Sequence, residues 1–266
     1  MIKLLLNNVN SKVKLKLNCV LTAVNENKLY LDFIPIFVKT WNKLYPETDV
    51  KIVLIAKKIP KDFEEYSKNI ILFEPIENIS TSFISQYIRI LYPAILNYKN
   101  GILITDIDML PMNREYFSKH IKNIPINKFV CMRDELITKR QFYICYNIAI
   151  NKVWKEIFNI KSIDDIKNRL KKVYNKINYI DGVYNHAWNT DQFDLYSYVV
   201  SWNTFRRNLV VLKDSETKYN KIDRGNCDIT NETIVENIKN GKYTDYHCLR
   251  PFKKYEEINN KVFELL

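Results

Sequence analysis

The first half of this chain alternates short apolar runs of strand length with stretches of helical periodicity, and this is what most constrains its fold. Residues 18–24 (NCVLTAV) read as a strand, and residues 31–44 as a helix with Phe33, Ile36, Phe37, Trp41 and Leu44 at helical spacing. Residues 50–56 (VKIVLIA) and 69–73 are two further buried-strand patterns. Ser80, Thr81 and Ser82 offer caps for a helix running toward Leu96. Its apolar stripe is Ile84, Ile88, Leu91 and Ile95, and another face carries Ser82, Gln86 and Arg89 at i, i+4 and i+7. Residues 101–105 close the series as a strand. Strand, helix, strand, strand, helix, strand predicts an α/β fold with a mostly parallel central sheet flanked by helices.

The second half is less regular. Strands are expected over 128–132 and 141–150, and helices over 153–158, 164–174 and 191–200. The last helix has Asn189 or Thr190 at its start, and beyond residue 203 the pattern suggests loops and short strands. No Pro/Gly/Ser-rich linker and no internal repeat divides the 266 residues, so one domain is expected. Residues 13–115 form its ligand-binding half and residues 116–266 its second half.

Glycine is scarce, at four in 266, against a usual share of about 7%. Gly101, Gly182, Gly225 and Gly241 are far apart, which excludes the glycine-rich loops G-x-G-x-x-G and G-x-x-x-x-G-K-[ST]. A phosphate ligand must therefore be held by side chains or a cation. The net charge of +11 comes from scattered lysines without any nucleic-acid-binding motif, so no nucleic acid partner is expected. A basic module binding nucleic acid or glycan is the non-enzymatic alternative. Five widely spaced cysteines without a C-x-x-C argue for a reducing, cytoplasmic setting. No run of residues has the length and apolarity of a membrane span.

The most informative segment is Gly101-Ile-Leu-Ile-Thr-Asp106-Ile-Asp108-Met-Leu-Pro111. An apolar strand here delivers two carboxylates at i and i+2, which share a face if the strand continues. At the carboxyl end of a parallel strand they would enter the crevice where open α/β sheets bind ligands. Two hard oxygen donors there suit Mg²⁺ or Mn²⁺ together with a diphosphate.

This stretch, with the preceding Ser85-Gln-Tyr-Ile-Arg89-Ile-Leu-Tyr-Pro-Ala-Ile-Leu96, resembles the GT-A fold glycosyltransferases with a D-x-D motif. It is similar to glycosyltransferase domains of large algal viruses and, more distantly, to glycogenin-type enzymes. The resemblance implies a sugar donor in the form of a nucleotide diphosphate, UDP-linked by preference, and a glycan or glycoprotein acceptor. For a viral protein the setting would be the host cytoplasm. It further implies a Mn²⁺ or Mg²⁺ ion held by Asp106, Asp108 and a late histidine, for which His247 is suited in Tyr243-Thr-Asp-Tyr-His247-Cys-Leu-Arg250-Pro251. The glycogenin-like pattern continues there with Gly and Lys-Pro-Trp. Here the Gly and Trp are missing and Arg250 stands in place of the Lys.

Within that resemblance Asp108 is the direct ligand, and Asp106 holds the metal or the ribose. Arg89 faces the donor, and Arg250 contacts the diphosphate. Asp191, followed by Gln192, either acts as general base or binds donor sugar hydroxyls. Its position in a helix's first turn has a purely structural explanation as well. Asn147 loosely resembles an Asn near the sugar, and Thr22, Ala23 and Asn25 take the base pocket by position in the fold. Tyr and Trp residues over 179–202 can stack on acceptor sugars or fill the core. A haloacid-dehalogenase-like phosphatase also ends an apolar strand in D-x-D. That motif, however, usually sits near the chain start and continues with Gly/Thr-type residues rather than Met109-Leu110-Pro111.

Overall fold

The computed structural model describes residues 13–182 and 187–266. Among the described residues ten strands, numbered in chain order, form two sheets: β1 (Leu17–Asn25), β2 (Asp49–Ile55), β3 (Ile70–Phe73), β4 (Gly101–Ile104), β5 (Met109–Pro111), β6 (Phe129–Cys131), β7 (Asn147–Ile150), β8 (Leu209–Val211), β9 (Lys221–Ile222) and β10 (Asp245–His247). The main sheet has seven strands in the order β3-β2-β1-β4-β7-β6-β8. The pairs β3/β2, β2/β1 and β1/β4 are parallel, and β7 runs antiparallel to both β4 and β6. The expected α/β architecture with a mostly parallel central sheet and flanking helices is therefore present.

Both faces of the main sheet are buried because its strands are apolar at nearly every position. In β1, Val20 and Val24 pack with Phe37 and Trp41 of the helix Ile34–Leu44, whereas Cys19, Leu21 and Ala23 pack with Ile84 and Ile88 of the helix Thr81–Leu91. Strands β1, β2 and β3 run outward in one direction. The chain then crosses back to place β4 on the other side of β1. The carboxyl ends of β1 and β4 thus flank a point where strand order reverses, which is where open α/β sheets form ligand crevices. Gly101 starts β4 because the backbone is crowded there. A Cβ at this position would lie 2.6 Å from Ile148 Cδ1 and 2.7 Å from the Lys16 carbonyl oxygen.

Several local expectations are corrected. The stretch 31–44 is not one helix: a short helix, Lys28–Leu31, ends before Phe33, and the longer one starts at Ile34 with Pro35 in its first turn, where its missing N–H costs no bond. The helix expected to reach Leu96 ends at Leu91 and passes into a 3₁₀ turn, Tyr92–Ala94, whose Pro93 cannot continue the α-helical bonding. Of 141–150 only Asn147–Ile150 is strand. Beyond residue 203 two regular helices form, Glu232–Lys239 and Glu256–Leu265. The first is capped by Asn231, whose side chain accepts from the Thr233 and Ile234 backbone N–H groups.

The second sheet has three strands in the order β5-β10-β9. β10 pairs antiparallel with β5, placing His247 opposite Met109, and parallel with β9. The Cys248 N–H donates to the Asp108 carbonyl at 2.9 Å and extends this pairing to the D-x-D itself. Among the described residues no helix is long and apolar enough to cross a membrane, and all five cysteines are free thiols.

Candidate active site

A cavity of about 560 Å³ opens at the carboxyl ends of β1 and β4. Ala23, Asn25, Arg89, Asp106, Asp108, Asp191, Gln192, His247 and Arg250 all line it, so nine of the eleven residues singled out from sequence meet in one place. Thr22 and Asn147 do not. Thr22 is fully buried within β1, short of the Ala23–Asn25 end of the strand that borders the cavity. Asn147 is also fully buried. Its amide donates to the Tyr143 and Ile144 carbonyls at 2.5 and 3.1 Å, a bond set that holds the turn before β7.

The two aspartates are not on a continuing strand. β4 stops at Ile104, and Asp106 and Asp108 lie on the turn leading into β5. The turn sends them to different neighbours. Asp106 pairs with Arg89 Nη1 through Oδ1 and accepts from Cys145 Sγ at 3.0 Å through Oδ2. Asp108 is 4% exposed and faces three bases. Its Oδ2 lies 2.8 Å from Arg224 Nη2 and 3.6 Å from both His247 Nε2 and Arg250 Nη1. Burial alone would raise its pKa. The hydrogen bond and charge of His247, with the guanidinium groups of Arg224 and Arg250, outweigh burial and hold it down at about 2. Asp108 is therefore an anion at any physiological pH.

Arg89 is 7% exposed and uses all of its guanidinium nitrogens. Nε donates to the Gln86 carbonyl at 3.1 Å, Nη1 pairs with Asp106, and Nη2 donates to Asp191 Oδ2 at 3.1 Å. One helix, Thr81–Leu91, thus joins the D-x-D turn to the first turn of the helix Thr190–Ser201. Asp191 is pushed up to about 6 by burial, which outweighs its pairing with Arg89. Its Oδ1 accepts from the Gln192 backbone N–H at 2.9 Å.

The rim is polar where the sequence pointed to a cap. Ser80 makes no side-chain capping bond. The Thr81 and Ser82 hydroxyls instead accept from Asn25 Nδ2, each at 3.1 Å, and Ser82 donates to Asp181 at 2.8 Å. Tyr30 and Trp188 contribute aromatic surface to the cavity, and Tyr179 stacks on Trp188 at 6.3 Å between ring centres. Of the three histidines, His120 is absent from the cavity lining and His186 lies outside the described residues.

Sequence reasoning missed Asp223 and Arg224. Asp223 Oδ1 lies 2.9 Å from His247 Nδ1, and Arg224 Nη2 contacts His247 Nε2 as well as Asp108. No motif marks this dipeptide. It reaches the site because β9 pairs with β10. Among the described residues no three carboxylate, imidazole or thiol groups converge as a ready metal cage. Asp108 and His247 form a pair with a guanidinium between them. The pair is chemically fit for a hard divalent ion, since it offers one carboxylate oxygen and one imidazole whose other nitrogen is held by a carboxylate.

No family model matches the sequence, and no curated protein matches it. Solved structures do resemble it. The glycosyltransferase GlyE of Streptococcus pneumoniae TIGR4 aligns at 14% identity over 94% of this chain and 62% of its own length, with a TM-score of 0.50. The galactosyltransferase LgtC, in complex with donor and acceptor sugar analogues, aligns at 11% identity over 91% of this chain and 95% of its own, with a TM-score of 0.48. At 14% identity the likeness to GlyE is one of fold alone.

Proposed function

We propose that this protein is a metal-dependent glycosyltransferase that moves a sugar from a nucleotide-diphosphate donor, UDP-linked by preference, to a glycan or glycoprotein acceptor. The observation that carries this reading is the meeting of Asp106, Asp108, His247, Arg89, Arg250 and Asp191 in one cavity at the strand-order reversal. Departure of a nucleoside diphosphate develops negative charge on phosphate oxygens, and catalysis needs fixed positive charge where that charge appears. A Mn²⁺ or Mg²⁺ ion held by Asp108 and His247, with Asp106 beside them, supplies such charge when bound.

The chain's own groups do the rest. Arg250 is 34% exposed, lies over the Tyr30 ring at 5.1 Å and can swing its guanidinium onto a phosphate. Arg89 is locked, so it shapes the site by orienting Asp106 and Asp191. Asp191 presents a carboxylate that either accepts hydrogen bonds from donor sugar hydroxyls or takes a proton from an acceptor hydroxyl. Its elevated pKa suits proton transfer near neutrality. Ala23 and Asn25, which line the cavity at the end of β1, would take the nucleotide base. The phosphatase alternative is disfavoured by Asp106, whose two oxygens are engaged by Arg89 and Cys145 and so are poorly placed to attack a phosphoryl group.

The deciding experiment is a thermal-shift screen of UDP- and GDP-sugars with Mn²⁺ and with EDTA. A melting temperature raised by one nucleotide sugar plus Mn²⁺, and not in Asp108→Ala, is expected. Stabilisation that persists unchanged in Asp108→Ala would sink the metal assignment. Hydrolysis of p-nitrophenyl phosphate would favour the phosphatase.

A further inference from the structure

Asp223 and Arg224 are consecutive, and together they hold both nitrogens of the His247 ring. The Asp223 carboxylate can only accept, so the imidazole proton sits on Nδ1. In the neutral ring Nε2 carries a lone pair, and what faces it is the Arg224 guanidinium, which can only donate. The same Nη2 donates to Asp108 Oδ2 at 2.8 Å. A divalent ion would need that lone pair and that oxygen. Two cations cannot share the position, because like charges a few ångströms apart repel strongly in a part-buried site.

Arg224 is held far less firmly than Arg89. Every nitrogen of Arg89 is engaged. The contacts that tie Arg224 to Asp108 and His247 both run through Nη2, and its Nε is buried without a hydrogen-bond partner. Its side chain keeps 22% exposure, so it has a route outward. A guanidinium bound by one nitrogen, beside a partially open cavity, is suited to exchange.

We propose that Arg224 is the resident cation of this site: it competes with the divalent ion for Asp108 and His247 and so sets the affinity of the ion. This rests on the glycosyltransferase reading of the same residues. With no ion bound, Arg224 keeps the buried Asp108 paired. An ion held there would take the Asp108 oxygen and Nε2 of His247, and Arg224 would have to leave both. Arg224 thus acts as a positioning residue rather than a catalytic one.

The test is Mn²⁺ binding to the full chain, followed by the electron paramagnetic resonance of the free ion. Wild type, Arg224→Gln, Arg224→Lys and Asp108→Asn are compared. Arg224→Gln is expected to bind Mn²⁺ at least about tenfold more tightly than wild type, since the competing charge is gone. Arg224→Lys, whose single ammonium cannot span both groups, should lie between, and Asp108→Asn should lose saturable binding. Arg224→Gln should also melt lower than wild type in EDTA and recover more on adding Mn²⁺. If Arg224→Gln does not fold, Arg224→Lys decides: tighter binding than wild type supports the competition, and unchanged binding overturns it. Equal affinities in wild type and Arg224→Gln, both lost in Asp108→Asn, overturn the competition and leave the metal site standing. An absence of saturable Mn²⁺ binding in both overturns the metal reading and the competition together.

Discussion

Arg89 donates to Asp191 across 3.1 Å, joining two buried residues that lie 102 positions apart in the chain. The same guanidinium pairs with Asp106, so it is the bond through which the D-x-D turn and the helix Thr190–Ser201 are held in register around the cavity. Removing it leaves Asp191 buried without its counter-charge. Arg89→Met is expected to destabilise the fold by about 3–5 kcal/mol, the usual cost of breaking a buried pair from one side. Arg89→Lys should recover part of that. Urea unfolding at equilibrium measures both, and a loss under about 1 kcal/mol would show that Asp191 finds another partner or protonates at little cost.

Asp223 should act on metal affinity through His247, without itself binding the ion. Holding Nδ1 fixes the tautomer and the ring angle of His247, and outer partners of this kind are typically worth about 10–100-fold in affinity. Asp223→Asn is expected to weaken Mn²⁺ binding within that range while the fold stays intact. Unchanged Mn²⁺ affinity would remove His247 from the metal site or show that its ring is held by something else.

Two buried carboxyls give stability a defined pH slope. Burial pushes Asp191 and Asp245 each up to about 6, against the opposing effects of Arg89 at the first and the Tyr146 and Tyr219 hydroxyls at the second. An unfolded aspartate titrates near 3.9, so between about pH 4 and pH 6 the native state binds more protons than the unfolded one. These groups therefore stabilise most below about pH 4, and their contribution is lost as pH rises through 6. Asp245→Asn keeps an acceptor for the two tyrosines and should flatten the slope of urea midpoints across that window. An unaltered slope would mean that Asp245 is not held protonated by burial.

Gly101→Ala tests the crowding at the start of β4. The new methyl would meet Ile148 and the Lys16 carbonyl inside van der Waals contact, and the carbonyl belongs to backbone that cannot rotate aside. A loss of about 1–3 kcal/mol is expected, as for other overpacked positions. A neutral result in urea unfolding would show that the strand edge shifts freely.

Much of this molecule is legible along the chain because it depends on near neighbours. The strands β1 to β4 fall within a residue or two of the apolar runs that announce them, since burial on both faces demands such runs. The helix breaks at Phe33 and Tyr92 were written in Pro35 and Pro93 but were hidden by uninterrupted apolar spacing on either side. The late helices were missed because Ile234 and Ile238 in one, and Val262 and Phe263 in the other, give sparse stripes in polar surroundings. At the site, Asp106, Asp108 and Arg89 carry a local pattern. At the end of β1, Ala23 and Asn25 line the cavity while Thr22 is fully buried, a difference in depth that no local pattern marks.

What the sequence alone determined is the alternating α/β order and the pair of carboxylates at the end of β4, because each is set by residues a few positions apart. What only the tertiary structure decided is the company those carboxylates keep. β10 must pair with β5 to bring His247 to Asp108, and β9 must pair with β10 to bring Asp223 and Arg224 to His247. Strand pairing between distant segments depends on the packing of the whole core, and no residue of β5, β9 or β10 records it locally. The guanidinium between Asp108 and His247 is a product of that pairing.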